Sequence, residues 1–120
     1  MDKWALLEHK VYSGKSLDVH FDFLVENGID CLTWKFLKVP LLNQASIEIF
    51  KQPNHRLVWL SRVEHELSGN RGFVKRIDHG IFKNVSDKFD SEYCRFFLDG
   101  ALLYGFFEIS GDSCRLSKYF

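Results

Sequence analysis

The stretch Leu17-Asp18-Val19-His20-Phe21-Asp22-Phe23-Leu24-Val25 decides the fold class of this chain. Apolar residues recur at every second position, namely Val19, Phe21, Phe23 and Val25. The residues that alternate with them belong to a second face, namely Asp18, His20, Asp22 and Leu24. A period of two residues is typical of a β-strand with one buried face. Asn27-Gly28, the strongest hairpin signal in the sequence, follows directly and predicts a turn into the next strand.

Outside this stretch the chain repeats the same pattern of short apolar or alternating runs between turn residues. The further strand candidates are residues 4–10, 29–39, 46–51, 56–66, 72–78, 81–85, 92–98, 102–109 and 114–120. Helical periodicity is scarce, and only Pro40 to Ile47 is compatible with a short helical turn. The spacing predicts an all-β barrel or sandwich. We favour a small closed or nearly closed antiparallel β-barrel of about eight strands, because a barrel removes exposed strand edges.

The composition agrees with one domain that spans residues 1–120. Hydrophobic residues make up 46% of the 120 residues and aromatic residues 16%, which is enough to build a core without disulfide bonds. Lys plus Arg equals Asp plus Glu at 16 each, so a general attraction to nucleic acid or anionic membranes is not expected. Three cysteines without paired spacing, and no signal peptide or long apolar run, predict a cytoplasmic protein without a membrane partner.

His20 and Asp22 are the most informative polar residues. Because they are two positions apart in a predicted strand, their side chains leave the same face about 7 Å apart along the backbone. An imidazole and a carboxylate at this spacing can both reach one divalent ion, and mixed nitrogen and oxygen ligands suit Mn²⁺ or Zn²⁺. His9, before the turn at residues 13–16, is a third ligand if its strand pairs beside this one. A solvated surface pair is the alternative interpretation.

The other histidines carry weaker signals. His65 lies at a predicted strand end, where a catalytic histidine and a solvated one look alike in sequence. His79 lies between Asp78 and Gly80 and is expected in a turn. His55, which follows Pro53-Asn54, is expected in an exposed loop.

These motifs, in their order along the chain, resemble the phosphoesterase module at the N-terminus of bacterial DNA ligase D. The residues that carry the resemblance are His9, His20-Phe21-Asp22-Phe23, Trp34 to Pro40, Glu64-His65, Asp78-His79-Gly80 and Leu98-Asp99-Gly100-Ala101-Leu102-Leu103-Tyr104-Gly105-Phe106. The resemblance implies a compact β-barrel with a Mn²⁺-dependent centre. It also implies that the protein acts on DNA 3′ ends and removes a terminal phosphate or ribonucleotide.

By position, the resemblance implies that His9, His20 and Asp22 are metal ligands and that His65 contacts the scissile phosphate or a second site on it. The family has an arginine two residues after the aspartate, where this chain has Leu24. Arg71 and Lys15 are the candidates to supply that charge from elsewhere, and Arg71 is the one we expect to act in catalysis. The alternative function is a non-catalytic β-barrel that binds a partner or ligand.

Overall fold

Ten β-strands and one 3₁₀ helix form the regular structure of the computed structural model, which describes residues 2–67, 69, 71–87 and 90–119. The strands are β1 Lys3–Ser13, β2 Ser16–Asn27, β3 Asp30–Phe36, β4 Ile47–Glu48, β5 Phe50–Arg56, β6 Glu64–Glu66, β7 Phe73–Asn84, β8 Tyr93–Asp99, β9 Tyr104–Ser110 and β10 Ser113–Ser117; the 3₁₀ helix is Leu57–Leu60. The all-β prediction is confirmed. The strand number exceeds the predicted eight by two short strands, β4 with 2 residues and β6 with 3.

All these strands belong to one antiparallel sheet that curls into a nearly closed barrel. Its order is β4-β10-β9-β8-β7-β1-β2-β3-β5, and β6 pairs with the start of β7. The end strands β4 and β5 do not pair with each other, so hydrogen bonds do not close the sheet. They are nevertheless consecutive in the chain and are separated only by Ile49, whose side chain is buried and whose amide donates to the Asp112 carbonyl at 2.8 Å. One segment, residues 47–56, therefore contacts both ends of the sheet.

The β1–β2 hairpin is covered on both of its faces. One face contributes to the inner core, an aromatic-rich cluster that also draws on β3 and β7–β10; its largest members are Trp4, Phe23, Trp34, Phe96 and Phe107. The other face contributes to the outer cluster, which consists of Ala5, Leu7, Leu24, Cys31, Leu60 and Val74. Because Leu60 belongs to the 3₁₀ helix, that helix covers part of the outward face of the sheet. This double burial explains why Leu24 is as completely buried as its neighbours Phe23 and Val25.

Three local predictions are wrong. The segment 56–66, predicted as one strand, contains the 3₁₀ helix and β6, because Leu60 turns onto the outer cluster. Pro40 to Ile47 contains no helical turn. The segments 72–78 and 81–85 form one continuous strand, β7, so His79 lies within a strand and not in a turn. Gly80 is needed there for close approach, since a Cβ atom at this position would lie 2.1 Å from Asp99 Oδ1.

The described part of the chain contains no helix long and apolar enough to cross a membrane.

Asp78 is a buried carboxylate that joins β7 to the loop after β8. It is 5% exposed and accepts backbone hydrogen bonds of 2.8–3.0 Å from His79, Ala101, Leu102 and Leu103. Both of its oxygens are used, each by two donors. A buried carboxylate is stable when backbone N–H groups satisfy it in this way.

We expect Asp78→Asn to lower the free energy of unfolding by about 2–4 kcal/mol, because an amide nitrogen replaces an acceptor that two N–H groups share. Urea denaturation followed by circular dichroism measures the change. Asp112→Asn, at an exposed turn, is the matched control and should stay within about 0.5 kcal/mol of the wild type. Equal stabilities for the two variants would contradict the role given to Asp78.

The three cysteines are buried free thiols, and burial raises the pKa of each, Cys31, Cys94 and Cys114, to about 12. At Cys31 the nearby carboxylates of Asp30 and Glu26 add to the effect of burial on the pKa. Thiolate is the reactive form, so these side chains are inert in the folded protein.

We expect the folded protein to resist a thiol reagent at pH 8 and all three thiols to react once urea unfolds it. Unfolded thiols ionise near pH 8.5, whereas the folded ones ionise near pH 12. Stability should therefore decline as pH rises through this window, because ionisation favours the unfolded chain. Rapid modification of any cysteine in the native protein would contradict this description.

Candidate metal centre

The hairpin register places His9 directly opposite His20. The turn between β1 and β2 holds Gly14 and Lys15 between the paired residues Ser13 and Ser16, and counting back from it aligns His9 with His20. Opposed residues in an antiparallel pair share a face of the sheet. Asp22, two residues after His20, lies on that same face, opposite Leu7. The three residues expected to bind metal therefore come together on the face that carries the outer cluster.

The donor atoms of this site are close enough to share one ion. His9 Nδ1 lies 3.2 Å from His20 Nε2, and His20 Nε2 lies 3.4 Å from Asp22 Oδ1. All three atoms lie within 4.8 Å of one another. Two ligands about 2.1 Å from an ion in tetrahedral geometry are about 3.4 Å apart, so both measured separations fit shared coordination.

The far side of the His9 ring is fixed by the backbone. Its Nε2 lies 2.7 Å from the carbonyl oxygen of Arg71, which only accepts hydrogen bonds, so Nε2 carries the proton and donates it. In the neutral ring, Nδ1 is then the nitrogen with the lone pair, and it faces His20 and Asp22. Metal-binding histidines usually hold their second nitrogen in this way, which fixes the tautomer and the ring orientation.

Burial separates this cluster from an ordinary surface group. Asp22 is 8% exposed, and the two histidines are half-buried. A carboxylate with so little exposure is costly unless an opposite charge or hydrogen bonds compensate it. His20 Nε2 is its neighbour at 3.4 Å, and a divalent cation between Asp22 and the imidazoles would supply that compensation. These four properties, namely register, separation, tautomer and burial, fit a divalent metal ion.

The cluster opens into a pocket of about 280 Å³ between the sheet and the segment that follows β5. The pocket is lined by Leu7, His9, Asp22, His55, Trp59, Leu67, Arg71 and Val74. Its walls combine apolar side chains with His9 and Asp22 of the cluster, one further histidine and one arginine. Small-ligand sites commonly have this composition.

His55 is the residue of this pocket that the sequence did not identify. The prediction of an exposed loop is wrong, since His55 lies in β5 opposite Cys31 and is half-buried. Pro53 made the segment look like a loop, but β5 is an end strand of the sheet, where proline is tolerated. The His55 Nδ1 atom lies 3.0 Å from the Pro53 carbonyl and donates to it, which leaves Nε2 as the nitrogen that can accept a proton.

The two residues expected to act in catalysis lie in different places. Arg71 lines the pocket and also binds His9 through its carbonyl. His65 lies in β6 opposite Val74, and its ring packs edge-on against Trp59 at 5.4 Å. It is not among the residues that line the pocket. Lys15 lies in the exposed β1–β2 turn and is likewise outside it.

No family model matches this chain, and no curated protein matches it.

We expect the wild-type protein to bind one Mn²⁺ or Zn²⁺ ion and His20→Ala to bind it on the order of a hundredfold more weakly, because one of three ligands is lost. Isothermal titration calorimetry measures the affinity directly. A metal-dependent rise in melting temperature, present in the wild type and lost in His20→Ala, is an independent readout.

His79→Ala is the matched control, because His79 is an exposed histidine in β7 outside this pocket, and it should bind metal like the wild type. If no metal binds to the wild type, or if all three proteins bind it equally, the metal centre is wrong.

Proposed function

We propose that this protein is a divalent-metal-dependent phosphoesterase-like domain that acts on DNA 3′ ends and removes a terminal phosphate or ribonucleotide. The observation that carries the proposal is the convergence of His9 Nδ1, His20 Nε2 and Asp22 Oδ1 at the mouth of a pocket that also holds Arg71 and His55. The preference for DNA 3′ ends comes from the resemblance to the DNA ligase D phosphoesterase module.

The ligand set suits Mn²⁺ or Zn²⁺. When bound, such an ion polarises the phosphoryl oxygens and offsets the charge that develops on them during ester cleavage. His9, His20 and Asp22 would hold the ion at one position in the site. The Arg71 carbonyl fixes His9, so the loop that carries Arg71 helps to set the geometry of the centre.

Ester hydrolysis also needs a positive charge near the phosphate oxygens and a group that accepts a proton from water. Arg71 supplies the first and His55 the second. Arg71 is the arginine among the described residues that line the pocket, and a guanidinium is suited to bind phosphate oxygens in pairs. His55, protonated on Nδ1, offers Nε2 as the group that accepts a proton from the attacking water. Water then adds to phosphorus, the bond from phosphorus to the 3′ oxygen breaks, and the 3′ oxygen leaves as an alkoxide that takes a proton from solvent, while the protonated His55 returns its proton to solvent.

The apolar wall of the pocket gives room for the nucleoside next to the phosphate. Leu7, Leu67 and Val74 provide contact area, and Trp59 provides a ring for base or sugar. In a terminal nucleotide, the phosphate would be directed to the metal and Arg71 and the organic part to this wall.

We expect release of inorganic phosphate from a 3′-phosphorylated primer–template in the presence of Mn²⁺ and none in the presence of EDTA. Asp22→Asn should abolish the reaction, and Arg71→Gln should lower kcat/KM roughly 10- to 1,000-fold, because it removes charge stabilisation from the phosphoryl group. Arg71→Gln keeps the backbone carbonyl that binds His9, so its metal affinity should stay close to that of the wild type.

Arg62→Gln, which removes an arginine that stacks on Trp59 from outside the pocket, is the control for a general loss of positive charge. It should keep most of the activity. A metal-loaded wild type that releases no phosphate or nucleotide from any 3′ end would overturn the proposal.

That last result would support a second candidate, a non-catalytic metal-binding β-barrel that binds a partner or ligand. Leu24 is the observation that favours it. This position is an arginine in the family that the sequence resembles, and here it is an apolar side chain within the outer cluster, with no exposed surface. A charged group cannot reach a substrate from this position without disrupting that cluster. If the protein is catalytic, the positive charge must therefore come from Arg71, and if Arg71 does not supply it, the non-catalytic function is favoured.

A further inference from the structure

His65 is the residue expected to act in catalysis that lies outside the pocket. It is paired with Val74 of β7, which lines the pocket, but His65 is not among the described residues that do so. A side chain that binds the phosphate or transfers a proton must lie within hydrogen-bond distance of the substrate. The position of His65 therefore favours a role that is exerted through a neighbouring residue.

Trp59 is the neighbour that connects His65 with the pocket. The two ring centroids lie 5.4 Å apart and the ring planes meet at 81°, an arrangement that aromatic pairs prefer. Trp59 is half-buried and lines the pocket together with His9 and Asp22 of the candidate metal centre. The indole thus contacts His65 and also forms part of the wall assigned above to the nucleoside.

The 3₁₀ helix that carries Trp59 has four residues, Leu57–Leu60, so its place depends on contacts with the sheet. Leu60 lies in the outer cluster, and its carbonyl accepts a hydrogen bond of 2.8 Å from Arg76 Nη1. These contacts fix the backbone of the helix. Trp59 itself packs against the outer cluster but remains half-buried, so the direction of its ring also depends on the other side chains that touch it.

Arg62 and His65 both pack on the ring of Trp59, and they differ in how they are held. The Arg62 guanidinium carbon lies 4.8 Å from the ring centroid, but Arg62 belongs to the segment that follows the helix and to no strand. His65 belongs to β6, which pairs with β7 at three register positions. His65 is therefore the contact that ties the indole to the sheet, whereas Arg62 follows the segment that carries Trp59.

We propose that His65 is a positioning residue, which holds the indole of Trp59 where it contacts the nucleoside next to the phosphate and does not itself touch the substrate. This role rests on the proposed function, because it belongs to the same pocket. A ring that contacts the nucleoside equally in the ground state and the transition state changes KM and leaves kcat unchanged. A histidine that binds the phosphate or transfers a proton changes kcat instead.

Steady-state kinetics on a 3′-phosphorylated primer–template with Mn²⁺ tests the proposal. We expect His65→Ala to raise KM roughly 2- to 10-fold, because an aromatic pair is lost, and to leave kcat within about twofold of the wild type. His65→Phe keeps a ring but has no nitrogen that could bind phosphate or carry a proton, and it should restore the wild-type KM. His79→Ala changes a histidine outside the pocket and should alter neither constant.

Acrylamide quenching of tryptophan emission in the metal-free protein tests the same role without turnover. Trp4 and Trp34 are 1% and 0% exposed, so the quencher reaches the half-buried Trp59 most readily. We expect His65→Ala to raise the quenching constant roughly twofold, because the indole loses its aromatic partner, and His65→Phe to keep the wild-type value. Trp59→Phe should remove the accessible emission, which assigns the signal to this residue.

Two kinetic outcomes would overturn the proposal. If kcat falls on the order of a hundredfold or more in both His65→Ala and His65→Phe, His65 touches the substrate directly. If His65→Ala has the kinetic constants and the quenching of the wild type, His65 does not place Trp59.

A wild type that releases no phosphate overturns the phosphoesterase proposal and leaves the role of His65 open to a separate decision. In that case the metal-loaded protein is titrated with thymidine 3′-monophosphate, and the change in Trp59 emission replaces KM as the measure of nucleoside contact. We expect roughly 2- to 10-fold weaker binding in His65→Ala and wild-type binding in His65→Phe. Equal binding by all three proteins, or no binding to the wild type, would overturn the proposal.

Discussion

The burial of the β1–β2 hairpin on both faces is the constraint from which the rest of the structure follows. A strand pair inside a simple barrel packs one face on the core and leaves the other in water. Here the inner core occupies one face, and the outer cluster, covered by the 3₁₀ helix, occupies much of the other. Leu7 and Leu24 are thus shielded from water, and so is the neighbouring Asp22, which is 8% exposed. The candidate metal centre, formed by His9, His20 and Asp22, lies where this outer cover ends and solvent begins.

The second requirement of the site is the segment between β6 and β7. The Leu67 amide donates a hydrogen bond to the Gly72 carbonyl at 2.8 Å, and Gly72 lies so close to Lys10 that a Cβ atom there would meet the Lys10 carbonyl at 2.1 Å. This close approach brings the Arg71 carbonyl to His9. One backbone oxygen thereby selects which nitrogen of His9 faces His20 and Asp22, and the residue that carries it, Arg71, also lines the pocket.

Much of the fold and part of the site can be predicted from the sequence, because they depend on local periodicity. The remainder depends on contacts between residues that are distant in the chain. The period of two in residues 17–25 predicts both the strand and the shared face of His20 and Asp22, and Gly28, with its φ of 73°, confirms the predicted hairpin. His55 was not predictable, because its place depends on pairing with Cys31, 24 residues earlier, and Pro53 obscures the strand. The contact of His9 with Arg71 was also not predictable, because it is made by a backbone carbonyl oxygen, which every residue type has.

The segment 47–56 joins the two ends of the sheet, and it also carries His55 into the pocket. Its beginning pairs with β10 and its later part pairs with β3. The two end strands of the sheet and one wall of the candidate site are therefore formed by the same segment. Local opening events that release this segment would dismantle the pocket and remove Ile49 from the inner core. The free energy of that opening, which amide hydrogen exchange reports, sets the fraction of molecules in which the pocket is complete.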